Sequence, residues 1–377
     1  MFRVGLDVHL RKISMCVLND EGKRVRYLDL PGDGQRLLEE LAALGDSVAL
    51  CYEASCGYGT LYDRLKKLPN VKRVAVAHPG QLRLIFRCKK KNDRVDAGKL
   101  ATLLFLDQVP EVHVPKLDVR AWRALIEFRR TQVDKQTAIK NQLRAVLRGH
   151  GIAAAHRKAL WTQKGLEWLK ELKLPTALAE LQRDCLLEEL ASCRAQLQKL
   201  ERELDRIGRA HAGVTLLRTI PGVGPRTAEA VIAYIDEPKR FARSNQIGSY
   251  FGLVPCQDQS AASNRLGHIT REGPATVRKF LCEAAWQGIQ RCPEIRAFFE
   301  RVQGGDPGRK KIALVATAHW LARVMLAMLR SGEVGRFTRK TRKQEKEEAA
   351  QGKQAEAAQA KKAEAAQAEA AESKPAA

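Results

Sequence analysis

Apolar and polar positions alternate in short runs over the first third of the chain. Residues 2–9 (FRVGLDVH) are short and mostly apolar, and ISMCVLND follows after a polar turn at Arg11 and Lys12. Asp20, Glu21 and Gly22 then turn the chain into KRVRYLDL. These runs read as antiparallel strands joined by turns. Residues 33–45 (DGQRLLEELAALG) read as a helix. Residues 47–54 (SVALCYEA) form a nearly continuous apolar run, as a buried strand does. Gly57, Tyr58 and Gly59 lead into a short helix, TLYDRLKKL, and residues 71–79 (VKRVAVAHP) are a further strand. From Ala97 onward the residues favour helix, with Leu100, Leu103 and Leu104 at helical spacing. Three strands, helix, strand, helix, strand, helix is the order of a mixed sheet with helices on its faces.

The pattern then changes. Residues 117–151 form one long helical stretch ended by Gly149 and Gly151. It is studded with Arg120, Arg123, Arg129, Arg130, Lys135, Lys140, Arg144 and Arg148. Residues 155–175 read as a linker with Trp161 and Trp168 as packing anchors. Leu186, Leu190, Cys193, Leu197, Leu200, Leu204 and Ile207 then alternate steps of four and three, the spacing of a coiled-coil seam. That seam suits either the preceding helix of the same chain or a second subunit. In residues 216–236 a helix runs into PGVG and a new helix starts near Pro225 and Arg226. This shape suits a helix-hairpin-helix holding a phosphate on free N–H groups, or a plain corner between two helices. Residues 309–330 are an apolar helix with a basic start. From about Thr338 the chain turns to Lys, Glu, Gln and Ala and has nothing with which to form a core. The expected domains are 1–116, 117–210, 211–335 and a disordered tail, 336–377.

Charge narrows the function. Lys and Arg number 66 against 43 Asp and Glu, a formal +23 over 377 residues. An anionic polymer is the default partner for such a surplus. The long basic helix is overwhelmingly of one sign, which suits a nucleic-acid backbone better than a merely solvated face. A membrane is not expected, since neither end carries a long apolar run or a basic amphipathic anchor. The start, MFRVGLDVH, reads as a strand and not as a signal peptide. Nine cysteines lack C-x-x-C pairs or zinc spacing, as expected of reduced thiols in a cytoplasmic protein.

Carboxylates stand out against this background. Asp7 interrupts an apolar strand, and Glu53 ends another. A carboxylate there is costly unless it is paired, metal-bound or capping a loop. Asp93 and Asp96 follow the basic run Lys89, Lys90, Lys91. If the helix already covers them, a spacing of three puts both on one face. They suit either a helix start favoured by the dipole or a cation between two like charges. Such acids can converge at one edge of the sheet and hold two Mg²⁺ for phosphodiester chemistry.

The segments GLDVH, CYEAS and KKKNDRVDAGKLA resemble the RuvC-type ribonuclease H fold in its D-E-D-D form. More closely, they resemble the N-terminal domain of the DEDD transposases of bacterial insertion sequences. Residues 247–290 run GL-x-P, a small-residue loop QSAASN, RLG-x-IT, a Gly turn and an Arg-bearing helix with paired alanines. That order is similar to the C-terminal serine domain of the same transposases, also called bridge-RNA recombinases. The resemblance implies an α/β RuvC-like domain, a helical coiled-coil segment for dimerisation or nucleic-acid binding, and a mainly α serine domain. It implies Mg²⁺ (or Mn²⁺) on Asp7, Glu53, Asp93 and Asp96, and Ser260 as nucleophile. Ala261 and Ala262 stand where the family usually has glycine, which keeps Ser263 as the alternative nucleophile. Asn264, Arg265, Thr270, Arg271 and Arg278 are candidate phosphate supports. Lys89, Lys90, Lys91, Arg129, Arg130, Arg144 and Arg148 are candidate nucleic-acid contacts. The implied partners are DNA at element ends and target, a structured guide RNA, and further copies of the chain as dimer or tetramer. The acidic site of one subunit would complete the serine site of another. Two other classes stay open: a Holliday-junction-type nuclease that needs only the four acids, and a non-catalytic nucleic-acid-binding protein that needs none.

Overall fold

The computed structural model describes residues 1–85, 92–152, 158–260 and 263–337. The chain divides into two compact units, Met1–Arg120 and Ala121–Ala377.

In the first unit β1 (Phe2–Val8), β2 (Lys12–Leu18) and β3 (Arg24–Pro31) form an antiparallel meander. β4 (Val48–Glu53) and β5 (Val71–Ala77) add in parallel, giving the order β3-β2-β1-β4-β5. Helix α1 (Gln35–Ala42) links β3 to β4, and α2 (Tyr58–Leu65) links β4 to β5. The mixed sheet with flanking helices read from the pattern is thus the fold observed. A short α3 (Pro79–Ile85) opens at the proline that ends the last strand run.

The two faces of the sheet differ in side-chain size. One carries Val4, Leu6, Ile13, Met15, Val17, Leu50 and Tyr52 against Leu37, Leu41 and Leu65 of α1 and α2. The other carries Cys16, Ala49, Cys51, Ala75 and Ala77. Small side chains let α4 (Asp93–Phe105) lie close, with Ala97, Leu100, Ala101, Leu103 and Leu104 inward. Gly5 takes this furthest. A Cβ there would overlap the carbonyl of Ala97 and the amide of Ala101. Since successive strand residues face opposite ways, Gly5 and Asp7 share the α4 face while Val4 and Leu6 share the other. The helix begins four residues earlier than its apolar spacing suggests, because the Asn92 side chain accepts from the Arg94 amide and caps it. Both aspartates therefore lie in the first turn.

Helix α5 (Leu117–Gly149) starts just before the unit boundary. In the second unit it pairs with α7 (Ala177–Ala210) through Ile139, Leu143 and Leu147 against Leu187, Leu190, Cys193 and Leu197. The ion pairs Arg129–Glu201 and Lys135–Glu189 mark the antiparallel direction. Of the heptad positions, Leu190, Cys193, Leu197 and Leu204 are buried, and Leu187 takes the place expected of Leu186. Their partner is α5 of the same chain. A one-turn helix (Lys158–Trp161) and α6 (Gln163–Glu171) close the far end with Leu160 and Leu169.

The remaining helices share one core: α8 (Ala212–Leu217), α9 (Pro225–Ile235), α10 (Gln246–Tyr250), α11 (Ala275–Arg291), α12 (Pro293–Gln303) and α13 (Lys310–Ser331). In the PGVG turn, Gly222 has φ 91°, and a Cβ on it would overlap the α11 backbone at Ala284 and Gly288. The turn is thus a packing element. The segment from 307 to 331 is long and apolar enough to cross a membrane by length and composition. The inward side of α13, including Leu321, Met325 and Leu326, lies in that shared core. Of the stretch read as a small-residue loop, Gln259 and Ser260 end β6 (Pro255–Ser260) and Ser263 and Asn264 open β7 (Ser263–Ile269), and the two strands pair as a hairpin.

Candidate active site

Strand register assembles the first site. Asp7 pairs with Ser14, and Ser14 pairs with Asp29. On the other side Leu6 pairs with Tyr52, so one step further Asp7 stands beside Glu53. Asp29, Ser14, Asp7 and Glu53 thus form one row across four strands, on the face that α4 covers. Seated by Gly5, α4 starts over this row with Asp93 and Asp96. Arg94 lies 4.6 Å over the Tyr27 ring and ties that first turn to β3.

Two basic groups enter from the β1–β2 turn, where the His9 amide donates to the Lys12 carbonyl. His9 Nε2 lies 3.2 Å from Asp7 Oδ2 and 3.9 Å from Asp93 Oδ1. Lys12 Nζ lies 2.7 Å from Asp93 Oδ2 and 3.9 Å from Asp29 Oδ1. Ser14 and Tyr27 each donate to Asp29, at 2.6 and 2.7 Å. Asp96 pairs with Lys99 at 2.9 Å.

The electrostatics follow from this geometry. Burial pushes the Asp7 carboxyl above the usual range; His9 opposes that, and Asp93 and Asp96 add to it. Asp93 is held low, chiefly by its hydrogen bond to Lys12. Asp29 is held low by Ser14 and Tyr27. Ligand atoms of Asp7, His9 and Asp93 all lie within 4.8 Å of one another. Two carboxylates and an imidazole suit a divalent cation. Glu53 and Asp96 lie outside that group, at the same end of the sheet. His9, Lys12 and Asp29 were not singled out by the sequence. The polar turn in HLRK was visible, but what it delivers depends on strand register.

The hairpin carries the second site. Ser260 and Ser263 are directly paired at its tip, and Asp258 pairs with Arg265 two residues down. Residues 261 and 262 lie outside the described residues, as do the side chains of Ser263 and Asn264. Ser260 is exposed, and by strand alternation Asp258 shares its face, with Arg265 across the rung. Asp258 is the hairpin's one carboxylate. The hairpin base is clamped. The Thr270 amide donates to Val254 and the Arg271 amide to Gly252. Arg278 donates to the carbonyls of Phe251, Glu272 and Gly273. Arg278 therefore ties the ends of the hairpin together, and burial, with Arg271 nearby, lowers its pKa. Arg271, at φ 59°, and Arg265 are exposed. The Thr270 hydroxyl has no hydrogen-bond partner among the described residues.

The bases expected on α5 differ in their engagements. Arg129 donates to Glu201. Arg130 donates to Thr276 and lies near Glu127 and Asp134. Arg144 lies over Trp161, and Arg148 is exposed. Lys89, Lys90 and Lys91 lie outside the described residues.

Known proteins share both regions. A family model described as transposase, of the DEDD type of IS110, matches residues 4–152. A second, described as transposase of the IS116/IS110/IS902 family, matches residues 214–300. The "Probable family 20 transposase" of Pseudomonas aeruginosa is 28% identical over 244 residues, covering 63% of this chain and 72% of its own. The transposase for insertion sequence element IS1111A of Coxiella burnetii is 29% identical over 196 residues, 52% of this chain and 54% of its own. The transposase for element IS1328 of Yersinia enterocolitica is 26% identical over 247 residues, 65% and 73% of the two chains. One model covers the sheet with its acidic row and the other covers the serine hairpin, in the order expected of one enzyme. The chain belongs to the IS116/IS110/IS902 family of transposases.

Proposed function

We propose that this transposase cuts and rejoins DNA strands through a covalent phosphoserine at Ser260, with Mg²⁺ (or Mn²⁺) held at the acidic row. The observation that carries the reading is the meeting of Asp7 from β1 and Asp93 from α4 beside His9, in register with Glu53. The DEDD type of domain implies a divalent metal in general. Asp7 and Asp93 would hold it, with Glu53 and Asp96 at the same end of the sheet. Bound there, it would neutralise the scissile phosphate and stabilise the charge that develops during transfer.

The residues of the chain do the rest. Ser260 Oγ attacks phosphorus, an O–P bond forms, and the bond to the departing strand breaks with its electron pair on the strand oxygen. Asp258, on the same face by strand alternation, would receive the serine proton through one bridging water. The phosphoserine ester conserves the bond energy, so the freed strand end of a partner DNA can displace serine and restore a phosphodiester. Arg265 and Arg271 would hold the phosphate, while Arg278 keeps the hairpin base closed. A structured guide RNA would select donor and target, and the protein would act as an oligomer in which the acidic site of one copy completes the serine site of another.

A plasmid recombination assay tests the acidic site. Asp7→Asn and Asp93→Asn are expected to lower strand exchange by about 10³-fold with thermal melting near that of the wild type. Wild-type exchange by both variants would rule out a metal held by these two carboxylates.

A further inference from the structure

Helix α5 meets acidic partners from Arg129 to Lys135 and only neutral ones, among the described residues, from Lys140 to Arg144. Arg123 donates to the carbonyls of Ala233 and Tyr234. Arg129 meets Glu201, Arg130 meets Glu127 and Asp134, and Lys135 meets Glu189. These bases fasten α5 to its neighbours and to itself.

Beyond Lys135 the pattern stops. Lys140 Nζ donates to Gln136 Oε1 at 3.1 Å and sits 5.6 Å from the centre of the Trp161 ring. The Arg144 guanidinium carbon is 5.2 Å from the same centre, and its Nη1 donates to Asn141 Oδ1 at 3.3 Å. From α7, Arg194 Nη2 donates to the Trp161 carbonyl at 3.1 Å. All three are half-buried, and among the described residues every hydrogen-bond partner they have is neutral. The crowding registers on Lys140. Burial lowers its pKa first, and Arg194 and Arg144 lower it further. The Trp161 Nε1 donor is also buried without an acceptor among the described residues. The cluster therefore lacks both an acceptor for the indole and a counter-charge for its cations, and an anion with several acceptor oxygens supplies both. The ring face attracts both cations and holds them in place, but it does not remove their mutual repulsion.

The shape of the cluster identifies the anion. Lys140, Arg144 and the exposed Arg148 follow one another at intervals of four, one helical turn each, along one side of α5. Arg194 flanks the row from α7. A row of one sign fits a linear polyanion better than a single small ion, and guanidinium groups match phosphate oxygens two at a time. We propose that Lys140, Arg144 and Arg194, gathered on Trp161 and continued by Arg148, form a binding site for the phosphodiester backbone of a nucleic acid. The site rests on the reading of the chain as an enzyme of DNA strand transfer. It grips the nucleic acid and takes no part in the chemistry itself.

The test uses the full chain carrying Lys140→Gln, Arg144→Gln and Arg194→Gln together, with Lys135→Gln as a control on the charge-paired stretch. Affinity for a labelled DNA duplex and for a labelled RNA hairpin is measured over a series of salt concentrations. The triple variant is expected to bind about tenfold or more weakly at low salt, with the slope of log affinity against log salt reduced by about 0.9 for each phosphate no longer neutralised. The control should keep the wild-type slope. Thermal melting of the triple variant should equal or exceed that of the wild type, because repulsion has been relieved. Weaker binding of the DNA probe alone assigns the site to DNA, of RNA alone assigns it to RNA, and of both assigns it to the shared backbone. A wild-type slope on both probes overturns the proposal. A lowered melting point with that unchanged slope would instead give the cluster a purely structural role. If the triple variant fails to fold, Arg144→Gln alone must still reduce the slope, and its failure to do so overturns the proposal equally. Wild-type protein that binds neither probe would sink the wider reading as well, whereas intact binding by the variant sinks only this site.

Discussion

The acidic row and the serine hairpin solve opposite problems. The row is built into a five-stranded sheet, and a glycine lets a helix backbone rest on it. Its carboxylates hold one another in place through Lys12, His9, Ser14 and Tyr27. The serine stands at the exposed tip of a two-stranded hairpin whose base is clamped by Arg278. A cation site gains from ligands that hardly move, since like charges must be held together against repulsion. A nucleophile that becomes bonded to a DNA strand and later released gains from access on all sides.

The rigid half of this contrast depends most on Gly5. A side chain there cannot fit between β1 and α4, so Gly5→Ala is expected to shift the first turn of α4 off the row. Strand exchange should fall about 10²-fold, the scale expected for a misplacement of about 1 Å. Stability should fall by about 1–3 kcal/mol. Exchange assays and thermal melting check both, and wild-type behaviour in both would show that the close approach is dispensable. Next comes Arg278→Met, which leaves three carbonyls without their donor. It is expected to cost about 1.5–3 kcal/mol and to slow exchange while leaving DNA affinity unchanged. A drop in affinity without a change in melting would make Arg278 a phosphate ligand instead.

The smallest effect on strand exchange belongs to neither site. Glu229, on α9, is 1% exposed against Gly208 of α7, with Arg226 Nη1 at 3.1 Å. Burial pushes its carboxyl up to about 7 from an ordinary 4.5. The folded chain thus keeps a proton that the unfolded chain releases. The stability linked to this group is full below about pH 4.5 and is lost as pH rises through about 7. Glu229→Gln should flatten that fall, an effect on the order of 1–3 kcal/mol, and leave exchange at neutral pH unaltered. Melting curves across that range check it; equal slopes in both proteins would place the proton elsewhere.

The same contrast explains what could be read from residues alone. Strands and acids were legible because Asp7 and Glu53 interrupt or end apolar runs, and burying a lone carboxylate is costly. The cap at Asn92 decided that both Asp93 and Asp96 are helical, which spacing alone left open. His9 and Lys12 stayed hidden because a polar turn looks the same whether or not register brings it over a carboxylate. The hairpin stayed hidden because PCQDQS and SNRLGHI lack the apolar alternation of a half-buried strand. The pairings of α5 stayed hidden for a third reason. Arg129 finds Glu201 72 positions away and Lys135 finds Glu189, so a helix that is mostly basic in sequence meets part of its countercharge only in space.

Locating the covalent bond decides whether a serine carries the reaction. A nicked suicide DNA substrate is incubated with protein and divalent metal, the mixture is denatured, and the protein is digested and sequenced by mass spectrometry. The expected product is a DNA-linked peptide modified at Ser260, retained in Ser263→Ala, absent in Ser260→Ala and absent in Asp7→Asn. An adduct that persists in Ser260→Ala and maps to Ser263 would contradict the assignment of the nucleophile. Simple hydrolysis of the strands by the wild type, with no adduct at all, would contradict the serine mechanism and leave a nuclease that runs on the acidic row.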